Sequence, residues 1–234
     1  MEATERKKII ELKNATKIFG KGTLENVVLK EIDLTIYEGD FLMIVGKSGS
    51  GKTTLMNIIG FLDRLSNGSY SFLSEDVSQL NENKKSEIRN LHFGFIFQQF
   101  FLIDSLNVAQ NVELPLVYGG KTNKKERLAA AEKYLDLVKI PEKIKAKTKE
   151  LSGGQQQRVA IARALINEPL VIMADEPTGA LDSETGDGIM ELLKELNRQG
   201  KTIIMVTHDE DLLQYATRVI RMHDGSFVEE GASV

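Results

Sequence analysis

Eight consecutive residues, Gly46, Lys47, Ser48, Gly49, Ser50, Gly51, Lys52 and Thr53, set three glycines ahead of a lysine and a hydroxyl. A glycine-rich turn of this kind lets backbone N–H groups wrap phosphate oxygens, because no side chain blocks the approach. Lys52 then reaches the β- and γ-phosphates of a nucleotide as a mobile point charge, and Thr53 offers its hydroxyl to Mg2+. Much further along, Leu151, Ser152, Gly153, Gly154 and Gln155 form a second polar, glycine-rich entry to a helix and so a second potential phosphate site. Ser152 and Gln155 also have the spacing of a helix capping box, although the two glycines between them are poor helix starters and clear room for a ligand. Asp175 and Glu176 end an apolar run, where one carboxylate can hold a metal's water shell and the next can polarise an attacking water. Thr207, His208 and Asp209 close another such run. A lone histidine in that position is as a rule packed and satisfied, so its neighbours decide its meaning.

Rigid elements must stand behind these groups. Residues 41–45, 170–174 and 202–206 are short, continuous apolar runs, and 93–97 is a strand-like run that ends at Gln98. This is the pattern of a parallel α/β sheet with ligand chemistry at the carboxyl ends of its strands. Helices are expected at 52–60, 155–166, 183–197 and 209–215, and a last strand at 226–230. Alternating apolar residues at 9–12, 27–36 and 69–73 predict an antiparallel β layer toward the N-terminus. Between about 100 and 167 strand signals vanish and helical periodicity takes over, notably in 124–138, with Pro141 and Pro169 at its breaks. The expectation is a helical subdomain, about 100–167, inserted into a nucleotide-binding core made of 1–99 and 168–234.

Composition narrows the function classes. The chain of 234 residues suffices for one large domain or two small ones sharing a core. Without cysteine it has neither disulfides nor thiolate metal sites. Its start is charged, and the apolar pair Ile9 and Ile10 stops at Glu11, unlike a signal peptide. No apolar run approaches the roughly 18 residues that a membrane span needs, so a membrane role is expected to come through a partner. A net charge of −4 argues against a face that neutralises duplex phosphates, and no nucleic-acid partner is expected. Lysines at 121, 124, 125 and from 139 to 149 read as a solvated face in preference to a lipid contact.

With Ala174 to Asp182 (Ala-Asp-Glu-Pro-Thr-Gly-Ala-Leu-Asp) added to the two glycine-rich runs, the chain resembles the ATP-binding cassette family over essentially its whole length. The resemblance implies an α/β fold: a P-loop NTPase core with a mostly parallel sheet, an N-terminal antiparallel β layer and an inserted helical subdomain. It implies ATP and Mg2+ as ligands, and hydrolysis to ADP and phosphate coupled to transport or mechanical work. Gly46 through Thr54 would hold the phosphates, while Ser152, Gly153, Gly154 and Gln155 would close on the nucleotide of a second copy, with Asp182 at the seam. Asp175 becomes the Walker B metal residue, Glu176 the catalytic carboxylate and His208 the switch histidine at the γ-phosphate. Gln98 matches the Q-loop glutamine near Mg2+ and the attacking water, and Gln99 beside it leaves the assignment open by one residue. Phe19 stands where the family stacks an aromatic, commonly tyrosine, on adenine, although alone it reads equally as a core residue. His92 and His223 have no comparable setting.

Within the family, residues 55–63 (Leu-Met-Asn-Ile-Ile-Gly-Phe-Leu-Asp), 111–115 (Asn-Val-Glu-Leu-Pro) and 174–182 are similar to the branch that serves lipoprotein release, macrolide export and antimicrobial-peptide export. That branch implies a permease of few transmembrane helices with a large extracytoplasmic domain, and a cytoplasmic chain held on the inner face of the membrane through it. Its similarity to a cell-division cassette makes force transmission across the bilayer the safer expectation. DNA-repair or translation cassettes would show a long coiled-coil insertion or a second cassette, while an iron–sulfur assembly scaffold would also be a single cassette. Phe100, Phe101, Leu102, Ile103 and Leu106, with Leu114, Leu116 and Val117, read either as core or as a groove for a short permease helix.

Overall fold

The computed structural model describes residues 6–20 and 22–232. In chain order the elements are β1 (Lys8–Phe19), β2 (Asn26–Tyr37), β3 (Phe41–Val45), α1 (Lys52–Ile59), β4 (Asn67–Phe72), β5 (Glu75–Asp76), α2 (Glu82–His92) and β6 (Phe93–Phe97). There follow α3 (Val108–Tyr118), α4 (Lys124–Leu137), α5 (Gly153–Leu165), β7 (Val171–Asp175), α6 (Ser183–Arg198), β8 (Thr202–Thr207), β9 (Arg218–His223) and β10 (Ser226–Ala232). They fall into two compact units. One takes the described residues up to Lys85 and from Asn197 onward, the other Ser86–Leu196.

The first unit carries the antiparallel layer, in the order β2-β1-β4-β5. The residues that turn inward from β1, Ile10, Leu12 and Ala15, are buried completely or nearly so. β1 runs past the expected residue 12 to Phe19 because a register shift between Leu12 and Ala15 accommodates Lys13 and Asn14. Asn14 sits there at a φ of 47° with its N–H donating to Asp33 at 2.8 Å, and this break in alternation hid the strand's second half. The unit's other strands run β10-β9-β3-β8, with β3 parallel to both β8 and β9. All five residues of β3 are buried. Its entry is fixed by Asp40, a fully buried carboxylate that accepts from the Tyr37 N–H at 3.0 Å and from Arg218 at 2.7 Å, and also pairs with Arg6.

In the second unit β6 and β7 pair in parallel. Helix α5 lies on β6 with its backbone in contact, since a Cβ added to Gly94 would stand 2.3 Å from the Ala164 carbonyl oxygen. Its buried stripe includes Val159, Ala160, Ile161, Ala164 and Leu165, and α3 and α4 pack against it. The absence of strands expected between 100 and 167 holds among the described residues, apart from one bridge between Asn107 and Lys147. α3 keeps Pro115 in its interior and starts from a capping box formed by Asn107 and Gln110. One expectation changes: the helix at 209–215 is a 3-10 helix, Glu210–Tyr215, capped by Asp209. Helix α2 forms in the polar run 82–92, where the sequence predicts no element.

Candidate active site

In the first unit the parallel register pairs Val45 with Thr207, so the chain leaves the sheet at Gly46 and at His208 side by side. Gly46 has no room for a side chain: a Cβ would meet the Met222 carbonyl oxygen at 2.3 Å. Gly51, in the left-handed region at a φ of 102°, caps α1 with no side-chain hydrogen bond, which leaves first-turn N–H groups to a ligand. Lys52 is buried and donates to the carbonyls of Gly46 at 2.6 Å and Lys47 at 3.0 Å, closing the loop around its own ammonium. The Ser50 hydroxyl is buried without a hydrogen-bond partner. Lys47, Ser48, Gly49 and Thr53 are exposed, and Thr54 is half-buried. An orphan hydroxyl, an uncapped helix start and a cradle that a Cβ would fill together fit a polyphosphate and its cation.

Phe19, at 44% exposure, presents its ring at the end of β1, and the Lys17 ammonium lies 4.7 Å from the ring centroid. Lys17 is itself nearly buried, paired with Asp63 at 2.6 Å and donating to the Arg64 carbonyl at 2.8 Å. His208 is exposed, and the N–H of Asp209 donates to the Thr207 hydroxyl at 3.0 Å.

The second unit repeats the strand-end arrangement with different chemistry. Phe97 pairs with Asp175, so Gln98 and Glu176 leave adjacent parallel strands together. Glu176 has a φ of 45°, in the left-handed region that a side chain rarely occupies, and its carbonyl accepts from the Gly179 N–H at 3.0 Å. Gln98 lies against that turn, since a Cβ on Gly179 would stand 2.8 Å from the Gln98 Nε2. Asp182 begins α6, accepting from the Thr185 N–H at 2.9 Å and its hydroxyl at 2.8 Å. These bonds hold its carboxyl below the usual carboxylate range, the backbone N–H most strongly.

Both halves of the Ser152–Gln155 capping box are made. The Ser152 N–H donates to Gln155 Oε1 at 3.1 Å and the Gln155 N–H to Ser152 Oγ at 3.4 Å. The two intervening glycines differ. A Cβ on Gly154 would meet Thr185 Cγ2 at 2.3 Å, so the Thr185 side chain would have to shift to admit one, while the nearest atom to a Cβ on Gly153 is 3.5 Å away.

Sequence reasoning missed the side chains that tie this second set together. Arg163 of α5 donates to the carbonyls of Phe100 at 2.8 Å and Phe101 at 2.6 Å, and the buried Asn111 holds Ile103, Leu106 and Asn107. Gln157 donates to the carbonyls of Phe97 and Pro177. Inside a run of three glutamines, only its phase with the buried positions Ala160, Ile161 and Ala164 could have singled it out. The apolar cluster after Gln98 divides: Leu116 is buried, Phe100, Leu102, Leu106 and Leu114 are half-buried, and Phe101, Ile103 and Val117 are exposed.

Comparison with known proteins settles the class. A profile described as ABC transporter matches residues 29–179, from β2 through the turn after Glu176. The chain belongs to the ABC transporter family. This ABC chain is 51% identical over 220 residues to the macrolide export ATP-binding/permease protein MacB of Wolinella succinogenes, a match that takes 94% of the chain and 34% of that protein. It thus spans about a third of the MacB relatives it matches. Against an uncharacterised ABC transporter ATP-binding protein, MJ1508 of Methanocaldococcus jannaschii, it is 48% identical over 221 residues, covering 94% of the chain and 98% of the relative. The solved dimeric structure of a post-hydrolysis state of the ATP-binding cassette MJ0796, bound to ADP and Pi, superposes with a TM-score of 0.87 at 43% identity, over 96% of this chain and 98% of that one. The ABC chain is accordingly an ATPase domain whose ligands are ATP and Mg2+. Among the described residues no cluster of three or more His, Asp or Glu side chains suits a metal, and Mg2+ in such sites relies on phosphates, water and few protein ligands.

Proposed function

We propose that this ABC ATPase works as an ATP-dependent two-fold dimer and drives a separate or covalently joined membrane permease. The observation that supports this most is that both parallel strand pairs, Val45 with Thr207 and Phe97 with Asp175, release their chemical residues at matched registers. On ATP binding Lys52 exchanges the Gly46 and Lys47 carbonyls for β- and γ-phosphate oxygens, and the first turn of α1 and the Ser50 hydroxyl supply further donors. Phe19 stacks on adenine with Lys17 holding the ring's other face. Bound Mg2+ would be held by Thr53, Asp175 and Gln98, where it would neutralise charge on the phosphates. Glu176 accepts a hydrogen bond from the attacking water and orients it in line, and His208 steadies the γ-phosphate, so catalysis is positioning and electrostatics. Ser152, Gly153, Gly154 and Gln155, with Asp182 at the seam, contact the nucleotide held by the second copy.

The dimer follows the reading that two half-sites on one chain are completed by an isologous partner, and the dimeric MJ0796 cassette is consistent with it. The permease reading rests on the export ATP-binding/permease name of the MacB relatives and on the fact that no helix of the described residues is long and apolar enough to cross a membrane. We take the helical subdomain to be residues 100–167, with Phe101, Ile103 and Val117 receiving a short cytoplasmic helix of a permease that has few transmembrane helices and a large extracytoplasmic domain. The chain then works on the inner face of the cell membrane, and the work is export or extraction of a lipoprotein, macrolide or antimicrobial peptide, or force passed across the bilayer.

Mixing two inactive variants tests the dimer. Lys52→Ala lacks the phosphate lysine, and Gly153→Asp sets a carboxylate toward the partner's γ-phosphate without the Thr185 clash that Gly154→Asp would add. A mixed pair contains one intact site, so turnover well above the sum of the separate rates is expected; strict additivity at every protein concentration would remove the dimer.

A further inference from the structure

The carboxamide of Gln157 is completely buried, and its Nε2 donates to the carbonyl of Pro177 and, at 3.5 Å, to that of Phe97. One of these carbonyls follows Glu176 directly and the other directly precedes Gln98. Proline has no N–H, so the carbonyl is the only backbone group at residue 177 through which a tether can act. The tether sits where one is needed, beside the left-handed backbone of Glu176, which persists only under outside support. On the far side of Gln98 the same helix acts again, through Arg163 and the carbonyls of Phe100 and Phe101.

Gln157 Oε1 is buried and has no hydrogen-bond partner. A buried orphan acceptor is a standing cost that an apolar side chain of the same size would avoid. Packing alone therefore does not account for an amide at this position. Its donation to two loop carbonyls does.

We propose that Gln157 is a positioning residue for ATP hydrolysis: by joining the Phe97 and Pro177 carbonyls to α5, it makes the Gln98 loop, the Glu176 turn and the helix that opens at Gly153 shift as one piece. The proposal rests on Gln98 and Glu176 being the hydrolytic residues. It predicts a split between binding and turnover, because ATP is gripped by Lys52 and the Gly46–Thr53 loop while the tether acts on the groups that orient water.

The test uses the full chain. Gln157→Met keeps length and loses the donor; kcat should fall about 10- to 100-fold, the scale of a misplacement near 1 Å, while KM for ATP and ATP-dependent dimerisation stay near the wild-type values. Amide exchange should quicken at Gln98, Gln99, Thr178 and Gly179. Gln157→Asn, which withdraws the donor by one methylene, should show the same split and keeps the test alive if the methionine variant does not fold. Gln157→Glu sets a carboxylate against two carbonyls; burial raises its pKa, and the protonated form regains a donor, so its turnover relative to wild type should recover as pH falls. Leu135→Ala, a buried α4 change, serves as a control matched for lost thermal stability and should keep kcat. Wild-type kcat in Gln157→Met or Gln157→Asn, a kcat loss no larger than the Leu135→Ala control, or a flat pH ratio in Gln157→Glu would each overturn the proposal. Glu176→Gln run in parallel separates the two layers: if it turns over normally the hydrolytic reading fails and the proposal falls with it, and if it is inactive while Gln157→Met is normal only the proposal fails.

Discussion

The strand pair β3 and β8 and the strand pair β6 and β7 both deliver chemistry from their carboxyl ends, yet they hold it by different means. At the first pair the support is backbone: a glycine, Gly46, that admits no Cβ, a helix start without a side-chain cap, and a lysine wrapped by its own loop. At the second it is side chains from one distant helix, with Gln157 and Arg163 reaching the carbonyls around Gln98 and Glu176. On the function proposed above, a grip on phosphate tolerates a fixed cradle, whereas aiming a water molecule would depend on loops whose position another element can alter; tethered carbonyls around Gln98 and Glu176 and a self-contained Gly46–Thr53 loop fit that division.

That contrast can be broken by mutation. The largest effect expected is on turnover in Glu176→Gln, a fall of about 10²- to 10⁴-fold with ATP binding retained, whereas Lys52→Ala should weaken ATP binding itself by about 10- to 100-fold, the worth of a charge-assisted hydrogen bond. Single-turnover kinetics beside equilibrium nucleotide binding would read both, and loss of binding in Glu176→Gln would abolish the distinction. Next comes the foundation of the phosphate half. Asp40→Ala takes the buried carboxylate away from Arg218, which keeps its bond to the Thr35 carbonyl at 2.8 Å, and should cost about 3 kcal/mol in denaturant unfolding, far more than an exposed ion pair such as Lys133 with Glu168. Equal losses for the two pairs would show that the buried carboxylate does not support the strand.

Smaller is the change in Phe19→Leu, which removes the stacking face and should lower ATP affinity by about 1 kcal/mol, with Phe19→Tyr close to wild type. An unchanged affinity in the leucine variant assigns the ring to packing. Smallest is an acid effect at the start of α6. The folded-state pKa of Asp182 is lowered by its bonds from Thr185, so the cap contributes above the unfolded pKa and is lost as pH falls through the folded one. Protection of the Thr185 amide, its exchange rate relative to an unstructured amide at the same pH, should fall only on that acid side, and a fall at neutral pH would contradict it.

The same contrast governs what could be read from the chain. Gly46 to Thr53 needs consecutive residues of fixed type, so its helix, its strand and its cradle were legible together. So were the buried apolar runs that became β3, β7 and β8. Gln157 and Arg163 act through carbonyls from 20 to 63 residues away, and a carbonyl has no sequence identity, so nothing in the residue pattern announces such a bond. The second half of β1 was hidden by a bulge at Asn14, and Lys17 by a residue type that in a strand reads as a solvent-facing charge. Ser152 and Gln155 carried two readings, and the capping geometry is realised in full, so their role toward nucleotide rests on the family and on the variants above.

Gly94 gives α5 a mechanical character. Where the Ala164 carbonyl rests on that glycine, helix and strand touch backbone to backbone, so a tilt of α5 would turn about this contact. Gly153 is the far end of the arm, roughly 17 Å away at about 1.5 Å per residue. A tilt of about 5° at the contact would move that tip by about 1.5 Å, while the Gln157 tether, closer in, would travel only about 0.9 Å. Any such motion at the helix tip would reach the Glu176 turn geared down, and a side chain larger than hydrogen at residue 94 would displace the contact about which it turns.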